Sequence, residues 1–153
     1  MTITGDIYVV LMSWAAMLSG YQYPEVMPQI VYVDHTRVVE VMCGGVDTKR
    51  NPCIVRAYYK DKNDARIYLN TKYWEINGEW SPHQRSIILH EMVHYLQDLS
   101  GKYDGHTTWN YDKLCAARKE RQMEAYQTQD KYLFEVYGHK RLMPRHYDNC
   151  GMY

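Results

Sequence analysis

The stretch His90-Glu91-Met92-Val93-His94 constrains this chain more than any other. Two histidines four residues apart stack on a common face only if the backbone around them is helical. The flanks agree with that demand. Ser81 is placed to act as N-cap, Pro82 stands at the first helical position, and Gln84 completes a capping box. Ser100-Gly101 supplies a stop, and Ile87, Ile88, Val93 and Leu96 give a core-facing side at helical spacing. The pattern predicts a helix over residues 82–99.

The chemistry of the stretch follows from that helix. Read as H-E-x-x-H, it offers two imidazoles that hold a zinc ion while leaving coordination positions open, with a carboxylate beside them to take a proton from water. The expectation is a zinc-dependent metallopeptidase carrying one catalytic Zn2+, with His90 and His94 as ligands and Glu91 as general base. The bland alternative is an amphipathic helix with two ordinary histidines.

Length and charge narrow the rest. A chain of 153 residues with 46% hydrophobic composition suffices for one compact domain with a real core, so residues 1–153 are read as a single domain. Lys plus Arg and Asp plus Glu balance at 18 each, which gives no electrostatic reason to expect nucleic acid or an anionic membrane as partner. The apolar run Ile7 to Leu18 is too short to span a bilayer, and Asp6 with no Lys or Arg before Arg37 argues against a leader peptide. An N-terminal helix capped by Thr4 and packed on the domain is expected instead.

Further along, Gln29 to Val33 alternates and β-branches as a strand does. Asp34 or Thr36 can cap a short helix through Arg37–Met42, with strand as the alternative because of its valines. Ile54–Tyr59 and Ala65–Asn70 read as a hairpin across the turn Lys60–Asp64, and Thr71–Trp80 reads as a loop. Trp109–Tyr137 has strong helix formers, no Pro or Gly, and Gly138 at its end; Leu114, Ala117, Arg118, Ala125, Leu133, Phe134 and Val136 mark its partly buried side. The fold class is therefore α+β, with a short mixed sheet and no internal repeat.

A hydrolytic zinc site takes three protein ligands. The metzincin pattern would need glycine at position 97 and histidine at position 100, where this chain has Gln97 and Ser100, so that class is excluded. A glutamate from the following helix is the alternative, and Glu120, Glu124 and Glu135 are available there. The sequence H-E-M-V-H-Y-L-Q, followed after a loop by Glu120-Arg121-Gln122-Met123-Glu124-Ala125-Tyr126, resembles the gluzincins, in particular the very small minigluzincins. The resemblance covers residues 65–137 and implies a small zincin-like domain. It implies that the third ligand is the Glu preceding a small residue on the second helix. That residue is Glu124, with Ala125 allowing close helix approach and Glu120 as the other choice.

The resemblance also implies an oxyanion donor beyond the motif, for which Tyr103, His106, Tyr126, His139 and His146 all qualify, and a substrate-pairing edge strand at Arg66–Asn70. Gln97, one turn after His94, is a plausible contact behind the ligands. Four cysteines without C-x-x-C spacing suggest a local Cys43–Cys53 disulfide across a turn-rich loop and a Cys115–Cys150 tether, with four reduced thiols as the alternative. The cysteines lean toward an extracytoplasmic or secreted location. A peptide or protein substrate and a monomeric state are expected. The rival reading is a catalytically weak or inactive zinc-binding interaction protein on the same scaffold.

Overall fold

The computed structural model describes residues 3–104 and 111–140. In chain order the elements are α1 (Ile3–Ser19), β1 (Gln29–Val33), α2 (His35–Met42), β2 (Ala57–Asp61), β3 (Asp64–Asn70), α3 (Pro82–Ser100) and α4 (Tyr111–Tyr137). The architecture is mixed α+β, four helices around a small three-stranded mixed sheet.

Strand β3 lies in the middle of the sheet. It pairs parallel with β1, Val31 opposite Tyr68, and antiparallel with β2, Tyr58 opposite Tyr68. The two-residue period sorts the side chains onto two faces. Ala57, Tyr59, Ile67 and Leu69 join the main core with α3, whereas Tyr58 and Tyr68 turn to the other face and pack with Val38 of α2 and Cys53. Their rings stack at 4.8 Å between centroids. The hairpin closes tightly, since Asp61 Oδ1 accepts from the Asn63 and Asp64 amides.

Several boundaries differ from expectation. The second strand begins at Ala57 rather than Ile54, because residues 54–56 run outside the ladder and Ile54 is 70% exposed. Strand β3, expected as an edge, is central and has both sides paired, so no substrate backbone can add to it; the edges are β1 and β2. Helix α1 already includes Ile3, one residue before Thr4, which therefore lies inside the helix rather than capping it.

Helix α3 ends as its sequence requires. Ser81 Oγ accepts from the Gln84 amide at 3.2 Å, Gln84 Oε1 accepts from the Ser81 amide at 2.9 Å, and Gly101 takes the left-handed conformation (φ 73°) that glycine adopts without steric cost. The helix is buried almost all round, with β2 and β3 on one side and α1 and α4 on the others. Leu89, Met92, Val93 and Leu96 are fully enclosed, and each such side chain contributes about 1.5–3 kcal/mol by leaving water. Leu11, Met12, Ala15 and Ala16 of α1 belong to the same core.

Helix α4 buries Ala125 and Leu133 and partly buries Leu114 and Ala117, as its sequence suggests, but three other expected positions turn outward. Phe134, Val136 and Arg118 are exposed, and the buried positions are Gln122, Ala125, Thr128, Gln129, Tyr132 and Leu133. The reason is the partner surface: α3 presents Ser86, His90, His94 and Gln97 to it, and buried polar groups need polar partners. Gln129 Nε2 accordingly donates to Ser86 Oγ at 3.0 Å.

Cys43 and Cys53 form a disulfide that closes the loop after α2. The expected Cys115–Cys150 tether ends at Cys150, which lies outside the described residues. Among the described residues no helix is long and apolar enough to cross a membrane.

Candidate functional site

On α3, four-residue spacing carries Ser86, His90 and His94 up one buried stripe, with Gln97 a turn further on. The imidazole Nε2 atoms of His90 and His94 point at each other across 3.1 Å. Facing them from α4 is Gln122 Oε1, 3.1 Å from His90 Nε2 and 3.2 Å from His94 Nε2. The three atoms form a nearly equilateral triangle.

The protonation of His94 can be read from its neighbours. Gln97 Nε2 donates to the Arg121 carbonyl at 2.9 Å, so Gln97 must present its Oε1 to His94 Nδ1, which it meets at 2.8 Å. An amide oxygen only accepts, and its contact at 2.8 Å prevails over the longer approach of Arg121 Nε–H to the same nitrogen at 3.4 Å, hence Nδ1 carries the proton and Nε2 keeps its lone pair. Burial pushes the His94 pKa down to about 4, and the nearby Arg121 guanidinium adds to the effect, so the ring is neutral at physiological pH. Gln97 does what its place one turn after His94 suggested.

Glu91, one residue on from His90 and so turned about 100° round α3, is buried where the helix meets β2. Its carboxyl is pushed up to about 8 by burial, against the pull of the Tyr59 amide of β2 and of Arg121. His90, Glu91 and Tyr126 open onto one cavity of about 550 Å³, walled by residues 54–58 and by the disulfide loop at Cys43, Val46 and Pro52. Arg56 and His83 stand at its rim, 3.1 Å apart.

Glu124 lies elsewhere. One residue advances a helix by about 100°, so Glu124 is turned well away from the Ala125 face, whereas Gln122, three residues before Ala125, shares it. The Glu124 carboxylate accepts from Tyr21, from Lys102 Nζ at 2.7 Å and from Tyr103 at 3.1 Å, and reaches Gln97 Nε2 at 3.4 Å. Burial raises its pKa, but the hydrogen bonds from Lys102, Tyr21 and Gln97 outweigh that and hold it below the usual range. Glu124 is thus linked to His94 through Gln97 rather than placed against the imidazoles. Glu120 points outward, 3.7 Å from Lys102.

Of the oxyanion-donor choices, Tyr126 packs its ring 4.3 Å from that of His90 and lines the cavity. Tyr103 is engaged with Glu124, and His139 packs on Tyr137 at an exposed helix end. His106 and His146 lie outside the described residues. Gln122 was not among the residues singled out from the sequence. The signal was present in the stripe 122, 125, 129 and 132, all of which are buried.

Among the described residues no three His, Cys, Asp or Glu side chains converge closely enough to hold an ion. Amide oxygen is also a metal donor, however, and a tetrahedral ion with bonds of about 2.0–2.1 Å sets its donors about 3.3–3.4 Å apart. The triangle formed by His90, His94 and Gln122 is smaller than that by only a few tenths of an ångström. These donors fit a small divalent cation.

Fold and site together define an α+β domain whose central helix carries a buried histidine pair beside a carboxyl group and a cavity. The chain belongs to the family described as a domain of unknown function (DUF6647), whose model matches residues 4–141. No curated protein and no solved structure matches it.

Proposed function

We propose that the protein is a zinc-dependent metallopeptidase of the gluzincin type, in which His90 and His94 hold the ion and Glu91 moves protons. The observation that carries this reading is the convergence of the two imidazole Nε2 atoms at 3.1 Å, with the His94 lone pair fixed inward by Gln97. A bound zinc ion would supply Lewis acidity, acidifying water and polarising a carbonyl.

The chain's own groups do the rest. Glu91 accepts a proton from water and returns it to the leaving amine. Its carboxylate is oriented by the Tyr59 amide, so β2 sets the direction from which the proton is taken. The cavity wall at residues 54–58 includes the start of an edge strand, which offers backbone groups to an extended peptide or protein substrate. Arg121, paired with Asp98 at 3.0 Å, keeps His94 neutral and available as a donor. The Cys43–Cys53 disulfide is compatible with an extracytoplasmic location, and we extend this to a secreted or extracytoplasmic enzyme.

One observation favours a second reading, a zinc-binding interaction protein with weak or no turnover. The group against the imidazoles is a neutral amide rather than a carboxylate.

Two measurements test these readings. Metal analysis of purified protein should find near-stoichiometric zinc that is lost in His90→Ala and His94→Ala; zinc that ignores both substitutions overturns both readings. Incubation with a diverse peptide mixture should give cleavage by wild type and none by zinc-loaded Glu91→Gln. Identical profiles from the two proteins would leave only the non-catalytic reading standing.

A further inference from the structure

The sequence resemblance points to Glu124 as third ligand, but the contacts divide Glu124 and Gln122 differently. We propose that Gln122 Oε1 is the third protein donor to the ion and that Glu124 stays outside the coordination shell. This inference rests on the reading in which His90 and His94 hold zinc.

His94 Nε2 carries a lone pair and Gln122 Oε1 is an acceptor, yet they lie 3.2 Å apart. Two acceptors at that distance repel unless something positive sits between them. The ring of His90 can bring one proton to the triangle, which serves one of the two contacts well. A cation at the centre satisfies all three donors together, at spacings close to those a tetrahedral zinc ion requires.

Gln122 is buried on the side of α4 that packs on α3, its Oε1 already 3.1 Å from His90 Nε2 and 3.2 Å from His94 Nε2. No rearrangement of the helices is needed for its amide to meet the ion. Glu124 would have to cross from a different face of α4 and leave Tyr21, Lys102 and Tyr103. Abandoning three hydrogen bonds, one of them charge-assisted, opposes the move.

A donor set of two imidazoles and one amide is neutral. The bound ion would keep its full charge, so affinity is lower than with a carboxylate donor and any water on the ion is more acidic. Residue 122 thereby sets how readily the site loads.

Zinc affinity, read by chelator competition on metal-free wild type, Gln122→Ala, Gln122→Glu and Glu124→Gln, tests the assignment without reference to turnover. The absorption spectrum of the cobalt-loaded proteins reports the donor set independently. Gln122→Ala should weaken zinc binding at least about tenfold, Gln122→Glu should tighten it by about tenfold or more and alter the cobalt bands, and Glu124→Gln should stay within about threefold of wild type with an unchanged spectrum. Thermal unfolding of each metal-free variant establishes that it is folded; if Gln122→Ala is not, the Gln122→Glu result decides. Zinc lost in Glu124→Gln but indifferent to residue 122 overturns the assignment while leaving the histidine site intact. Zinc that also ignores His90→Ala and His94→Ala overturns the site itself.

Discussion

Gln97 is the residue through which the structure makes its sharpest demand. Replacing it with leucine keeps a similar volume in a fully buried position, so the packing change is small. What changes is polarity. His94 Nδ1–H loses its acceptor at 2.8 Å, a buried unpaired donor worth about 1–3 kcal/mol. The Arg121 carbonyl loses its contact at 2.9 Å but keeps its place in the hydrogen-bond ladder of α4, a loss of about 1 kcal/mol. Leucine no longer has an amide to desolvate, which recovers part of this, and a net destabilisation of about 2 kcal/mol is expected. The second consequence is chemical. Arg121 Nε–H, already directed at the same nitrogen from 3.4 Å, is then unopposed, which drives the ring proton to Nε2, the atom that must face the ion with a lone pair. Zinc affinity should then fall about 10- to 100-fold. Urea denaturation of metal-free Gln97→Leu reads the first effect and chelator competition the second. Lost stability with zinc affinity unchanged would refute the claim that Gln97 sets the His94 tautomer, and would reduce it to a packing residue.

Other substitutions probe the surrounding frame. Ala125→Leu adds bulk at a fully buried position one turn from Gln122, and should cost about 1–3 kcal/mol in denaturant titrations while weakening zinc binding by moving Gln122 off the histidine pair. Removing the Cys43–Cys53 disulfide by double serine substitution releases a loop with a sequence separation of 10 and should lower stability by about 3 kcal/mol, measured against wild type under non-reducing conditions. The Asp47 pKa is held below the usual range, first by the Cys53 amide at 2.9 Å and then by His35. Because its folded-state pKa is depressed, its contribution is complete above the ordinary carboxylate range and is lost as pH falls through the lower, folded value. The protection of the Cys53 amide, its exchange rate relative to the intrinsic rate at the same pH, should therefore fall on acidification in wild type, and Asp47→Ala should show low protection already at neutral pH.

Local chemistry made much of this molecule legible in its sequence. The capping box at Ser81 and Gln84, the stop at Gly101, strand β1, the hairpin and the Cys43–Cys53 pairing each depend on residues close in the chain, and each is present. The stacking of His90 on His94 is of the same kind, because a helix of known period leaves their spacing no freedom. What could not be read was anything decided by a partner element. Strand β3 resembles an edge until β1 and β2 are seen on both its sides. Phe134 and Val136 look like core until a polar seam on α3 selects Gln122, Thr128 and Gln129 in their place. Near His90 and His94 the sequence offered three glutamates within one helix; only the rotation of α4 about its own axis turned an amide to the histidines and left Glu124 with Lys102 and two tyrosines. Spacing along the chain determines which side chains share a face, but the direction of that face follows from packing between helices distant in sequence.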